Sequence, residues 1–429
     1  MNCTLLGRSL GDCLRAGTRP SRVMNVGSAL MVVSFIGCSR SERRDAIDLF
    51  ETQAQASTIQ RPAPQPPSDL YPIISPLVGG NSYAIAHARD YDIARDPNEV
   101  PAAPLADGAT VTFTVAELNT VLAPADPTIS PPVWSGASDV RMNFMAFGAT
   151  TDDPSVPGTY WTPRVPGPFV KVVANRTVNV VLSNPATNTS THSMDFHSVV
   201  GLKGGAAMIM AAPGSKATLA IKPTHPGLYV YHCSETGTPR GIAEHMNLGM
   251  YGMMLVLPGD SRGNIDGDDR FNRMLSAGAS EHYIFEEDVF RDPNGNFDEL
   301  KMLNTLVPDV VAYNGRVSSL VDHPLTGSKA AGSYVIYHGA GGAHVPSFHI
   351  IGAIFDKTWS LGDVTAPALR GIQTVLLPSA GTAVMAIDPA NLIVNATSSG
   401  VVGDQLDILV DHASPYFRKG ALGLMLVTP

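Results

Sequence analysis

The sequence predicts an all-β protein made of two tandem Greek-key β-sandwiches, and three observations carry that expectation. The 429 residues include 40 Gly and 34 Pro, a density of turn residues that interrupts helices and favours short strands. Between the turns lie short β-branched runs: Thr110-Val-Thr-Phe-Thr-Val115, Phe169-Val-Lys-Val-Val173, Thr177-Val-Asn-Val-Val-Leu182, Gly227-Leu-Tyr-Val-Tyr231 and Tyr334-Val-Ile-Tyr337. Such spacing belongs to sandwiches or barrels. Finally, a strand ending in His, a loop and a last apolar strand occur once in each half. Tyr229-Val-Tyr-His232 precedes Gly252-Met-Met-Leu-Val-Leu-Pro258, and Ile408-Leu-Val-Asp-His412 precedes the apolar run from Gly420 to Pro429. This repetition predicts two domains of one kind, residues 81–260 and 261–429, meeting in the acidic turn from Asp260 to Asp269.

Ahead of the domains, Val23 to Ile36 is mostly apolar, preceded by Arg15, Arg19 and Arg22 and followed by Gly37-Cys38. The run is too short to span a bilayer as a helix and suits the apolar region of a secretory signal. Residues 1–38 are therefore expected to be a signal peptide of bacterial lipoprotein type, with Cys38 carrying the lipid; Phe35 stands where that motif usually has Leu. Met24 is an alternative start. Residues 39–80 are polar and then rich in proline (Pro62, Pro64, Pro66, Pro67, Pro72, Pro76), and read as a disordered tether. The expected location is the periplasm, or the outer membrane through Cys38. A net charge of -9 argues against a nucleic-acid partner.

Of the 4 Cys, three precede residue 39, which leaves Cys233 without an intrachain partner. It must be inert packing, a nucleophile or a metal ligand. His192 lies upstream, and His245 and Met250 follow closely. Two imidazoles, a thiolate and a thioether form the ligand set of an electron-transfer copper site. Each residue alone has a plainer reading, Met250 and Cys233 as core and His245 as a surface histidine; the order His…Cys…His…Met is what makes the signal.

Strand geometry implies a second metal. Neighbours on a strand point to opposite faces, and residues two apart share one. His232 and Cys233 should therefore diverge, as should His192 and His197, while Asp195 and His197 lie together. One face holds His192 with Cys233; the other holds His197, His232 and Asp195. Two imidazoles beside a carboxylate, with no thiolate, describe an open catalytic metal site. A third ligand is wanted. Among His282, His323, His338, His344, His349 and His412, the last is chosen because it ends the strand that is the counterpart of His232. His349, in Ser347-Phe-His-Ile-Ile-Gly352, reads by itself as a core histidine.

At these residues the sequence resembles the copper-containing nitrite reductases from about Val111 to the end. The carriers are Val165-Pro-Gly-Pro-Phe169, His192-Ser-Met-Asp-Phe-His197, Pro226-Gly-Leu-Tyr-Val-Tyr-His-Cys233, His245-Met-Asn-Leu-Gly-Met250, Ser347-Phe-His-Ile-Ile-Gly-Ala-Ile-Phe-Asp356 and Leu409-Val-Asp-His412. The last two resemble the lipoprotein branch. The resemblance implies two cupredoxin sandwiches and two coppers per subunit. His192, Cys233, His245 and Met250 would hold type 1 copper; His197 and His232 would hold type 2 copper, with His412 supplied by the adjacent subunit of a homotrimer. It further implies catalytic roles for Asp195 in nitrite binding and proton delivery, for His349 as its relay partner and for Ile351 in crowding the substrate. The electron donor would be a cupredoxin or a c-type cytochrome. Two departures stand out: Cys233 and His245 are farther apart than the family leads one to expect, and no Pro-Gly-x-Tyr precedes His412. His344 reads as a bystander.

The expected reaction is one-electron reduction of nitrite to nitric oxide and water, fastest on the acid side. A laccase-like multicopper oxidase would need His-x-His pairs, and no two histidines are two apart. A non-catalytic electron carrier would need only the Cys233 site, not a second domain or His197. Asp292-Pro-Asn-Gly-Asn-Phe-Asp298 fails as an EF-hand, with Gly too early and Leu303 in place of the closing Glu.

Overall fold

A computed structural model describes residues 91–124, 139–156, 160–200, 206–235, 241–397, 406–413 and 416–429, together with the backbone of 23–26 and 29–32. The chain forms two compact units, Met1–Tyr71 and Pro72–Pro429. In the first, β1 (Val23–Val26) and β2 (Ala29–Val32) pair as an antiparallel hairpin. Cys38 and the expected tether lie outside the described residues. No helix among the described residues is long and apolar enough to cross a membrane.

Among its described residues the second unit shows four five-stranded sheets. The first joins β10 (Ser215–Ile221), β7 (Val178–Asn184), β3 (Thr110–Ala123), β4 (Val140–Thr151) and β5 (Tyr160–Arg164), in that order. The second joins β6 (Val170–Val173), β12 (Tyr251–Leu257), β11 (Gly227–His232), β8 (His192–Val200) and β9 (Ala206–Ala211). The third runs β14 (Val310–Tyr313), β13 (Ser280–Val289), β16 (Tyr334–Ala340), β20 (Thr382–Ile387) and β18 (Lys357–Ser360). The fourth runs β15 (Leu325–Ser328), β22 (Leu422–Thr428), β21 (Asp407–Asp411), β17 (Ser347–Ile351) and β19 (Thr374–Leu376).

Side-chain alternation decides how the sheets stack. β7 alternates buried with half-buried positions and β10 half-buried with exposed ones, as strands with one wet face do. β12 is apolar on both faces. Met254 and Val256 enter the core between the first two sheets, while Tyr251, Met253 and Leu255 enter a separate apolar layer. In that layer they meet Tyr283 and Phe285 of β13, Val335 and Tyr337 of β16, and Val384 and Ala386 of β20. The opposite faces of those strands, with Ile284, Ile336 and Met385, fill the core between the third and fourth sheets. Each of these large side chains contributes on the order of 1.5–3 kcal/mol by leaving water, so the two sandwiches are held to each other as each is held internally. Tyr251 stacks on Phe285 with ring centres 4.1 Å apart. Arg316 pairs with Asp92 at 2.8 Å, and His323 bonds the same carboxylate.

Between β12 and β13 the turn from Pro258 to Asp269 leads into helix α2 (Arg270–Ser276), whose N-terminus Asp269 caps by accepting from Phe271 and Asn272. Helix α1 (Gly241–Asn247) fills the connection between β11 and β12. Phe348 and Ile350 fill the core of the second sandwich, so His349 and Ile351 point the other way. His349 is not the core histidine that its apolar neighbours suggest.

Candidate metal centres

β8 carries two ligand groups on its two faces. His192, Met194 and Phe196 are buried toward the sandwich core, where Cys233 and Met250 also lie. Asp195 is half-buried and His197 exposed on the reverse face. The fork is completed by β11, whose last residue, His232, turns away from that core while Cys233 turns into it.

At the first group, Cys233 Sγ is 3.0 Å from His245 Nδ1, and the His192 and His245 rings are 5.2 Å apart. His192, Cys233 and His245 present ligand atoms within 4.8 Å of one another. The Ser193 amide donates to the sulfur at 3.3 Å, a contact that tempers thiolate charge. Met250 closes the group from the chain itself: its carbonyl accepts from the Cys233 amide at 3.0 Å, and its amide donates to the His245 carbonyl at 2.9 Å. His245 sits on helix α1 rather than in an irregular loop, which is how the long spacer after Cys233 is taken up; residues 236–240 of it lie outside the described residues. Glu117 of β3 takes His192 Nε2 at 3.0 Å, leaving Nδ1 buried and without a partner. An imidazole anchored through one nitrogen with the other orphaned is the arrangement a ligand needs. Burial lowers the pKa of His192 and pushes that of His245 down to about 4, so both rings stay neutral. Burial raises the Cys233 thiol, partly offset by hydrogen bonds from Ser193; a bound cation would reverse that preference.

At the second group, His197 Nε2 and His232 Nε2 converge to 3.0 Å. His232 Nδ1–H donates to the Cys233 carbonyl at 2.9 Å, which leaves the Nε2 lone pair facing His197. Burial and then the neighbouring His232 lower the pKa of His197, with Asp195 opposing. Asp195 shares this cluster, and its buried Oδ1 has no partner. Both donor sets thus fit a metal, the first soft and the second of imidazole and carboxylate.

His412 follows β21, and its amide bonds the Ser347 carbonyl at 2.9 Å. Its ring lies 4.9 Å from that of His349, whose Nδ1–H donates to the Gln373 carbonyl at 2.5 Å. Neither joins a metal-binding cluster among the described residues of a single chain. Ile351, 39% exposed, shares their strand face, beside the apolar group Ile408, Val410, Leu422 and Leu424.

Two partners escaped the sequence reading. Glu117 is far from His192 in the chain, and only the register of β3 reveals it. His344 belongs to a third cluster with Glu286 and Asp411; its signal was a histidine just ahead of the strand that repeats β8.

No protein-family profile matches the chain. The chain is 31% identical over 327 residues to the copper-containing nitrite reductase of Neisseria gonorrhoeae, covering 73% of this chain and 74% of that protein. It is 32% identical over 327 residues to the copper-containing nitrite reductase of Neisseria meningitidis serogroup A, covering 73% and 75%. Among solved structures, the Cu-containing nitrite reductase from Thermus scotoductus SA-01 matches with a TM-score of 0.50 at 20% identity, over 74% of this chain and 61% of that one. This last is a likeness of fold, all-β with tandem cupredoxin-type sandwiches.

Proposed function

Because the chain belongs to the copper-containing nitrite reductases, as 31% identity across 73% of its length shows, we propose that it reduces nitrite to nitric oxide and water at copper held by its two clusters. One observation supports this reading above the others: the clusters stand on opposite faces of β8 and are joined by a single peptide bond, His232–Cys233. A soft donor set and an open one, so linked, suit a division between electron entry and chemistry. His192, Cys233, His245 and Met250 would hold type 1 copper; His197, His232 and His412 would hold type 2 copper. Copper there would supply a one-electron relay at the first site and a Lewis acid for nitrite oxygens at the second.

The chain's own residues do the rest. The Cys233 sulfur and the His232 ring, one peptide bond apart, would give electrons a short covalent path. Loss of an oxygen from nitrite as water takes one electron and two protons, and the protons must come from side chains. Asp195, whose buried Oδ1 has no hydrogen-bond partner, would orient nitrite and deliver one. His349, beside His412, would relay the second, and Ile351 would limit the poses of the substrate. Because His349 and His412 stand on the outer face of β17 and β21, the proposal includes an adjacent subunit that brings them to His197 and His232, as in a homotrimer. It also includes export to the periplasm, attachment through a lipid on Cys38 and a cupredoxin or c-type cytochrome as donor; the sequence ahead of residue 81 supports the first two.

Nitric oxide formed from nitrite with a reduced donor, measured for wild type and His412→Ala, tests the whole. Wild type should produce it and the variant should lose nearly all turnover. No nitric oxide from a fully copper-loaded wild type would overturn the proposal.

A further inference from the structure

The second sandwich repeats the first in its strand order. The order β6-β12-β11-β8-β9 recurs as β15-β22-β21-β17-β19, with the parallel pair at β6–β12 and at β15–β22. The registers agree as well: Phe196 faces Tyr231, and Phe348 faces Asp411. His192 lies four residues before Phe196, and His344 lies four before Phe348. Each histidine is held by a carboxylate from the facing sheet, Glu117 of β3 at 3.0 Å and Asp288 of β13 at 2.5 Å. The chain thus places a carboxylate-anchored histidine at the same point of both sandwiches. Only the donors around it differ. In this register Cys233 corresponds to Ala413 and Tyr231 to Asp411, while Glu286 of β13 stands beside His344 from the facing sheet, with His338 of β16 next to it.

We propose that Glu286, His344 and Asp411, whose ligand atoms lie within 4.8 Å of one another, form a structural site for a divalent metal ion of the zinc type, which His338 beside Glu286 completes when the ion binds. All four are buried or nearly so, Glu286, His338 and Asp411 completely. Both ring nitrogens of His338 and both carboxylate oxygens of Glu286 lack hydrogen-bond partners, and His338 Nε2 points at Glu286 Oε2 from 3.7 Å. An imidazole and a carboxylate sealed from water with nothing to bond each forfeit about 1–3 kcal/mol or more. Around His344 the separations fit an ion, and His338, outside that 4.8 Å cluster, needs a small inward shift to join it. Tetrahedral ligands about 2.0–2.1 Å from zinc lie roughly 3.3 Å from one another. His344 Nε2 is 2.9 Å from Asp411 Oδ2 and 3.5 Å from Glu286 Oε1.

The surroundings orient each donor. Asp288 accepts from His344 Nδ1–H and from the Ala343 and His344 amides at 2.7 and 2.9 Å, which fixes the ring with Nε2 facing the cavity. Asp411 Oδ1 accepts from the Ser347 and Ala413 amides at 2.8 and 2.7 Å, leaving Oδ2 for the cavity. Burial pushes the Glu286 carboxyl up to about 8 and the His338 ring down to about 3. The one resents its charge without a cation and the other keeps a neutral lone pair. Burial opposes charge on His344, but hydrogen bonds to Asp288, Asp411 and Glu286 outweigh it and push the ring up to about 12; a divalent ion would displace the Nε2 proton and take over its balance of the carboxylates. Two nitrogens exclude calcium or magnesium, which want oxygen, and the lack of sulfur disfavours copper(I).

The test loads the full-length protein with copper, incubates it with zinc chloride, dialyses it and counts metals by plasma mass spectrometry. Wild type should retain about one zinc per chain beyond its copper. Glu286→Gln, which keeps shape and loses charge, and His338→Leu should each lower zinc retention more than tenfold, with copper content unchanged. No retained zinc in wild type would overturn the site, whatever the variants do. So would zinc that both variants keep, since it would then sit elsewhere, for instance at His197 and His232. A third copper in place of zinc, lost in Glu286→Gln, would overturn the choice of ion.

Discussion

Asp195 shows how one residue's place on a strand decides its chemistry. One position earlier or later it would face the sandwich core; at this one it shares an edge with His197 and His232 and keeps an unbonded oxygen. Replacing it by Asn keeps the shape and removes the acidic proton. The expected result is a fall in turnover of about 10²- to 10⁴-fold, read with a nitric oxide electrode, with copper content unchanged by metal analysis. Undiminished turnover would remove Asp195 from proton delivery. This residue was legible in the sequence because it lies two positions from His197, a local relation that alternation converts into a shared face. Glu117 was not legible: its relation to His192 depends on β3 lying across the sandwich, and nothing local in a sequence encodes that distance.

Elements were legible in proportion to their length and pattern. β3, β6, β7, β11 and β16 announce themselves as β-branched runs between turns. Helix α1 does not, because seven residues complete barely two turns and show no periodicity. β17 misled for a different reason. Its apolar letters suggest burial on both sides, yet Ile351 lies on the outer face together with His349. The link from α1 to β12 is a tight turn on which Met250 depends. Gly249 there has φ of 109°, and a methyl group would collide with Val165 and come within 3.1 Å of the Met145 carbonyl. Gly249→Ala should destabilise the protein by about 2 kcal/mol or more, seen as a lower urea midpoint. It should also weaken the blue or green absorption of the proposed type 1 site, since Met250 would be displaced.

At the scale of the whole molecule, the proposed sharing of sites between subunits predicts complementation. His197→Ala and His412→Ala should each be inactive, because each removes a ligand from every site. Co-expressed in equal amounts and assembled at random, they should regain about a quarter of wild-type activity, since only sites that take both intact ligands from opposite variants are complete. No recovery in verified mixed assemblies would place His412 outside a shared site. Acid should also act on the whole fold through His282, which stacks on Tyr334 and bonds Asn98. Burial pushes its pKa down from 6.5 to about 3. Between those values the unfolded chain binds a proton that the folded chain refuses, so stability falls as pH drops through that window. At pH 5 the loss is about 2 kcal/mol, and His282→Gln should remove that part of the slope in urea unfolding at pH 7 and pH 5.

The apolar layer that Tyr251 and Leu255 share with Phe285 and Tyr337 has an evolutionary side. A free-standing first sandwich would need a wet outer face on β12, and this one has a greasy face shaped to its neighbour. Splitting the gene between the halves would release a first half that sticks to itself. Once that seam had turned apolar, the duplication could no longer be undone by one cut; its exposed apolar side chains would have to change first. Fusion here works as a ratchet.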